Sequence, residues 1–479
     1  MNHPHQPLVL QSRWRPIESD GTPSLLYYGV RNPPHQRRSL IPISASLAAL
    51  LGGDQRPLNP EEQTPAVRTE MAELAAHGIL VPPEHRHQLK TPETMQVCSR
   101  CVVNDYVVPG LEFDETGVCA LCRSYEVGTK PARSAFATID TDELVATAST
   151  SRFDAMVLYT GGKDSSYMLW LLARKLGLRV LAAFWNMPYC SDAAYDNINR
   201  ARQRLDNVEF VEWTLPLATV REAMRDKWHH HGWPCLCPSV AFAMLYPLAA
   251  QLRIPYVFLG LEDVQTAVLD YVVGTPAASS APPPSRREQT LAFLATRALP
   301  RQLKPPLRWP DEMSNYHAAV RNAMPTLFHD LAELVQQAQQ DRDLDIPLIC
   351  RLATNEEYGS WDDARRIIEK EMDWRAPVGQ NSLLHTSCAI EPVKDYLQFQ
   401  RFRAMRTVFM PQSIVELGAA VHFRLLSRED ALRAVPELGY WQPPAMLGRL
   451  VKDLQISHEE IRCTGDELSF SLAEWAAGS

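Results

Sequence analysis

Four apolar runs lie between residues 155 and 261: Ala155 to Thr160, Val180 to Met187, Val208 to Leu215 and Pro255 to Leu261. Segments with helical periodicity separate them, at Ser165 to Leu176, near Ala193 to Leu205 and at Ser239 to Arg253. Runs this apolar read as strands buried on both faces. Strands that alternate with helices pair through crossovers, which yields a parallel sheet covered on each side. The chain is therefore expected to be α/β, with a doubly wound parallel sheet that binds ligands at the carboxyl ends of its strands.

At 479 residues the chain exceeds one hydrophobic core. Residues 1–90 read as a small α+β module, winged-helix-like or peptide-recognising, with a strand at Leu25 to Val30, helices at Ser44 to Leu51 and Thr64 to His77, and a short strand at Ile79 to Val81. Residues 91–127 carry two cysteine pairs, and 128–274 hold the alternating pattern. Residues 275–345 open on a Pro-rich run and continue with Arg286, Arg287, Arg297, Arg301, Lys304 and Arg308 interleaved with Phe293 and Trp309, as in a solvated basic insertion. From about 346 to 479 the pattern turns helical, with Ser360 and Ser427 as helix caps.

Lys and Arg number 48 against 56 Asp and Glu, a formal charge of −8, which argues against a non-specific nucleic-acid coat. Neither a bilayer-spanning run nor a secretory signal is visible, so a cytoplasmic location is expected, and the 10 cysteines then read as metal or sulfur chemistry rather than a disulfide scaffold.

The first apolar run enters Thr160-Gly161-Gly162-Lys163-Asp164-Ser165-Ser166, and a helix follows at once. Two glycines admit an anion close to the backbone, and amides of the loop and first helical turn point toward it along the helix dipole. Lys163 adds a point charge and the serines add hydroxyls, while Asp164 after the lysine excludes a Walker A loop. The heptapeptide resembles the Ser-Gly-Gly-Lys-Asp-Ser loop of the PP-loop ATP pyrophosphatases, with Thr160 in place of the first serine. That resemblance implies cleavage of ATP to AMP and pyrophosphate with Mg²⁺. It also implies activation of a substrate oxygen as an adenylate, with Lys163, Asp164 and Ser165 catalytic and Thr160 to Ser166 holding the phosphates. By the same resemblance, Phe184, Asn186 and Met187 at the end of the second strand would face the adenosine. Gly260 would admit the nucleotide, and Glu262 and Asp263 would hold Mg²⁺ or substrate.

Cys98-Ser-Arg-Cys101 and Cys119-Ala-Leu-Cys122 have the spacing of a four-thiolate structural zinc ribbon, closed to water. The surrounding Cys-Ser-Arg-Cys-Val-Val-Asn and Phe113-Asp-Glu-Thr-Gly-Val-Cys119 resemble the opening of the bacterial N-acetyl sugar amidotransferases of surface-polysaccharide synthesis. Asp373-Trp374, the segment His385 to Tyr396, and Ser427-Arg-Glu-Asp-Ala-Leu432 echo the end of that family. The likeness implies replacement of an activated oxygen by ammonia. No cysteine element reads as a glutaminase, so ammonia would come from a partner subunit or from solution.

A third cysteine feature, Cys235-Leu-Cys237, precedes the helix leading to the fourth strand. Several sulfur-inserting PP-loop enzymes place cysteines here, where three hold an iron–sulfur cluster; Cys388 is the candidate third thiolate, with Cys190 and Cys350 behind it. A helix-capping loop, a second zinc, a cluster and a persulfide carrier all remain open for this pair. His229-His230-His231 reads as a solvated run, and Cys463 as an ordinary thiol. Sulfur insertion into a nucleobase, a carrier-bound acyl group or a peptide, fed by a sulfur-donor partner, is the alternative to amidation. The N-terminal module allows a peptide or carrier-bound substrate as well as a small molecule.

Overall fold

The computed structural model describes residues 6–30, 40–52, 56–126, 137–147, 151–260, 264–265, 284–301, 309–352, 359–377, 384 and 386–457. The expectations on Glu262, Asp263, Lys304, Arg308, His385, Cys463 and most of the Pro-rich run lie outside these residues.

At the N-terminus, β1 (Val9–Leu10), β2 (Trp14–Ser19), β3 (Thr22–Tyr27), β4 (Leu40–Pro42) and β5 (Leu80–Val81) form two antiparallel sheets, β1-β5 and β2-β3-β4. Asp20 and Gly21, at φ 50° and 75°, turn the β2–β3 hairpin with the twist that an Asp-Gly pair supplies. Ser44 and Thr64 cap the helices Ala45–Leu51 and Pro65–Ala76, which bury Leu47, Met71 and Leu74 against Leu25 and Leu80. Strand β2 escaped the sequence reading because Arg15, Pro16 and Glu18 break its apolar alternation. Arg13 joins this module to the rest of the chain: its guanidinium donates to the carbonyls of Tyr28, Phe402 and Arg403 at 2.5, 2.5 and 2.9 Å and covers the Phe402 ring.

The central sheet adds β6 (Ala137–Ile139), β7 (Ala155–Leu158), β8 (Val180–Trp185), β9 (Val208–Trp213), β10 (Tyr256–Leu259) and β11 (Leu348–Leu352). All six are parallel, in the order β6-β11-β10-β7-β8-β9. Alternate residues divide the core, as a period of two requires. Met156, Leu158, Leu181, Ala183, Val257 and Ile349 face one side, while Val157, Val180, Ala182, Phe258 and Cys350 face the other. The chain runs outward from β7 through β8 to β9 and returns to the far side of β7 as β10. The crevice where the order reverses therefore opens between the carboxyl ends of β7 and β10, where such sheets bind ligands.

Two expectations are corrected. The helical reading from 346 fails at its start, since Leu348–Leu352 is a strand of the central sheet; a short apolar run cannot declare its state alone. The described part of the basic insertion is not solvated. The helices Arg286–Ala298, Trp309–Ala323 and His329–Gln340 bury Leu294, Val320, Leu331 and Val335 in the core, and Arg287 donates to the carbonyls of Ala338, Asp341 and Leu344. Its cations serve as internal ties.

The C-terminal helices Glu391–Arg403 and Gln412–His422 pack on the cysteine ribbon, with Phe399, Phe402 and Leu417 in one cluster with all four cysteines. Among the described residues no helix is long and apolar enough to cross a membrane.

Candidate functional site

The loop after β7 owes its shape to its glycines. Gly161 has φ 71°, and a Cβ there would lie 2.2 Å from the Ala194 carbonyl oxygen, so only glycine fits. Its own carbonyl accepts from Trp374 Nε1 at 3.0 Å and Asn197 Nδ2 at 3.3 Å. Gly162 opens the helix Lys163–Trp170. On the other side of the crevice, a Cβ on Gly260 would lie 2.4 Å from the Ser165 nitrogen, so this glycine admits the neighbouring helix.

The serine hydroxyls are used within the loop. Ser165 Oγ accepts from the Thr160 amide at 3.2 Å and lies 3.0 Å from Thr160 Oγ1, while Ser166 Oγ bonds the Tyr159 hydroxyl at 3.2 Å. Lys163 is 3% exposed, pairs with the Asp164 carboxylate and lies 4.7 Å from the centre of the Trp361 ring. A cation at a helix N-terminus opposes the dipole, so Asp164 offsets repulsion that a polyphosphate would relieve further.

The remaining nominated positions separate. Asn186 donates to Glu212 Oε1 at 2.7 Å. Phe184 and Met187 are buried in opposite cores and serve packing.

Thr386 and Ser387 cover the loop. The Lys163 amide donates to Thr386 Oγ1 at 3.0 Å, and a Cβ on Gly162 would meet Ser387 Cβ at 3.2 Å. This strip is held beside the end of β8: Ser191 donates its amide to the Ser387 carbonyl at 3.0 Å and its hydroxyl to the Thr386 carbonyl at 3.1 Å. The Ala389 amide donates to the Tyr189 carbonyl at 3.0 Å, and Cys190 pairs antiparallel with Cys388.

Cys388 thereby enters the electrostatic neighbourhood of Cys237 and Cys235, on the core face that also holds Trp233 and Leu236. Cys235 Sγ donates to the Cys237 carbonyl at 3.7 Å, and the neighbouring Cys237 thiol together with Lys394 and Lys227 draws the Cys235 thiol down, while Cys235, then burial, pushes Cys237 up. Burial, then Glu391, pushes Cys388 up. Lys227 is fully buried, donates to the Trp233 carbonyl at 3.0 Å and is lowered by burial to about 7. Tyr316 donates to the Cys237 carbonyl at 2.5 Å. Cys350 faces the opposite core and cannot join this group, whereas Cys190 lies beside Cys388. His231 packs its ring on Trp233, Tyr316 and Phe409, unlike the solvated run expected there.

Sequence reasoning missed Lys227, Lys394, Tyr316, Asn197 and Trp361 at these two centres. Lys227, on an otherwise apolar helix face with Ala223, Met224 and Trp228, carried a readable signal.

The sulfurs of Cys98, Cys101, Cys119 and Cys122 lie within 4.8 Å of one another, all buried, with the 98–122 pair at 4.0 Å and the 101–119 pair at 3.8 Å. A tetrahedron with zinc–sulfur bonds of 2.3 Å has edges of about 3.8 Å. Amides of Arg100, Cys101 and Cys119 donate to Cys98 Sγ at 3.4, 3.4 and 3.3 Å, as a bound thiolate requires. These residues fit a four-coordinate metal. Among the described residues no second such group converges, so Cys235, Cys237 and Cys388 do not fit a single tetrahedral ion.

No family model and no curated protein matches the chain. Among solved structures, a U34-tRNA thiolase, NcsA from Methanococcus maripaludis with its [4Fe-4S] cluster, aligns at 14% identity over 59% of this chain and 90% of that one, with a TM-score of 0.23. A superposition that loose fixes no residue correspondence.

Proposed function

We propose that this chain is an ATP-dependent sulfur-inserting enzyme of the PP-loop type. The carrying observation is one short strip: Thr386 accepts a hydrogen bond from the phosphate-loop amide of Lys163, and Cys388, two residues on, joins Cys235 and Cys237. An anion cradle beside these thiols supports the reading, because activating an oxygen and then replacing it with sulfur requires both.

ATP would lie across the β7–β10 crevice with its pyrophosphate on the Thr160 to Ser166 loop and Mg²⁺ at Asp164. A substrate oxygen attacks the α-phosphorus and pyrophosphate leaves, its growing charge stabilised by Lys163 and the loop amides. The thiols would help hold hydrosulfide from a sulfur donor beside the adenylate; its sulfur adds to the activated carbon with loss of its proton, and AMP departs with the original oxygen. A bound cluster would supply a further sulfur ligation site. Burial keeps water from the adenylate. Zinc at the Cys98 group holds the fold.

The test uses full-length protein purified without oxygen. Expected are AMP rather than ADP, its release accelerated by sulfide, and protein-bound sulfur that is lost in Cys235→Ser and Cys388→Ser. ADP as product would end the reading. Acceleration by ammonia and not by sulfide would replace it with the amidotransferase suggested by the zinc-ribbon resemblance.

A further inference from the structure

A second cavity lies far from the phosphate loop in sequence. It measures about 880 Å³ and is lined by the N-terminal module, the segment Arg86 to Thr91, and Arg403 with Met405. Five arginines line it (Arg13, Arg15, Arg56, Arg86 and Arg403), and among the described residues no carboxylate does, in a chain whose formal charge is −8. Leu10, Leu50, Leu51, Leu58 and Leu89 add an apolar wall, beside the polar Ser12, His87, Gln88 and Thr91.

Trp14, Arg15 and Pro16 all line the cavity, although they are consecutive in β2. Successive side chains of a strand point to opposite faces, so a cleft touched by three in a row runs along the strand's edge. β2 is the outer strand of its sheet, paired only with β3. Pro16 has no N–H and the Trp14 amide already donates to the Gln11 carbonyl at 3.4 Å, so at these two residues the edge offers an extended chain carbonyl acceptors, and flanking pockets select its side chains.

We propose that this cleft binds an extended peptide segment bearing acidic and apolar side chains, part of a partner or substrate protein. Charge complementarity sets the acidic side chains, the leucine wall sets the apolar ones, and the strand edge sets the backbone geometry. The volume fits a few residues rather than a folded surface.

Position gives the cleft its role. Arg403 ends the helix Glu391–Arg403, whose other end carries Lys394 and Glu391 beside the cysteines. Lys394 and Arg403 are separated by about 14 Å along that helix at 1.5 Å per residue. An extended chain covers that span in about five residues. The bound segment would thus be an address, with the reacting group carried a short tether away. The binding itself stands whether the inserted atom is sulfur or nitrogen; only the address role rests on the proposed chemistry.

Fluorescence anisotropy with the full-length protein tests this, using a short rhodamine-labelled peptide that alternates Leu and Glu, its Leu/Lys counterpart, and a short labelled RNA. Arg13 is left intact because it ties the module down; Arg15→Glu and Arg56→Glu change exposed side chains. Binding of the Leu/Glu peptide, weakened by salt and at least about tenfold by the double reversal at an unchanged melting temperature, is expected. Failure of that peptide to bind would overturn the proposal. So would equal binding of the Leu/Lys peptide, unaltered affinity in the double variant, or RNA binding in its place that depends on Arg15 and Arg56. AMP formation without added peptide should be unchanged in both variants, which separates this result from failure of the ATP chemistry.

Discussion

Thr386 Oγ1 accepts the backbone amide of Lys163 at 3.0 Å, across a separation of 223 residues. A C-terminal hydroxyl therefore sets the first helical turn after the Thr160 to Gly162 loop, and the strip that carries it also delivers Cys388.

Thr386→Val leaves the buried Lys163 amide without its acceptor, a loss of about 1–3 kcal/mol. AMP formation should fall about tenfold or more, and Thr386→Ser should restore most of it. Initial rates over a range of ATP concentrations check this; a valine variant with wild-type kcat and KM would contradict it.

Gly260→Ala puts a methyl group 2.4 Å from the Ser165 nitrogen, against backbone that cannot swing away. The cost is about 1–3 kcal/mol of stability, as for other overpacked sites. A lower melting temperature together with weakened ATP binding is expected in calorimetry.

Cys350→Ala and Cys388→Ala both remove a thiol, yet from opposite faces of the sheet. Only Cys388→Ala should abolish retention of protein-bound sulfur. Assay of cyanide-reactive and acid-labile sulfur distinguishes them, and equal loss in both would count against the cysteine group.

The four ribbon cysteines should hold one zinc ion per chain, measurable by elemental analysis. Arg428 donates to the carbonyls of Cys101 and Cys98 at 3.0 and 2.9 Å, and a Cβ on Gly418 would lie 2.5 Å from Val103. The metal thus also organises the helices packed on it. Binding of this kind contributes on the order of 10 kcal/mol to folding. Cys119→Ser or prolonged chelation should lower the melting temperature steeply and loosen the C-terminal helices in hydrogen exchange.

His317 is buried, its Nδ1 lies 2.9 Å from Ser239 Oγ, and burial, then Arg297 and His231, holds it well below the ordinary 6.5. Below pH 6.5 the unfolded chain takes up a proton that the folded one refuses. Stability should therefore fall with decreasing pH, by up to about 1.4 kcal/mol per unit from this group. His317→Asn, which keeps a partner for Ser239, should flatten that limb in melting curves taken between about pH 6.5 and 5.

Much of the architecture was legible in the chain itself. The apolar runs of β7, β8 and β10 declare buried parallel strands, although β9, expected to be buried as well, is a largely exposed edge; the paired C-x-x-C turns declare a four-thiolate site, because both signals are local. Strand β11 was not legible: its few apolar residues could pair only after the helices of the insertion had packed beside it. Lys394 was hidden for a related reason, since a lysine on a helix signals solvent until a fold buries it.

By itself, then, the amino-acid order determined which segments become strands, where an anion can approach glycine backbone, and which cysteines are spaced to share a metal. Periodicity and turn chemistry act over a few residues, and their consequences can be read there. Tertiary structure alone decided that Thr386 holds Lys163, that Cys388 and not Cys350 packs on the same core as Cys235 and Cys237, and that five scattered arginines line one cleft. Contacts between distant segments depend on sheet order and on which face of a strand looks inward, and only the packed molecule settles those.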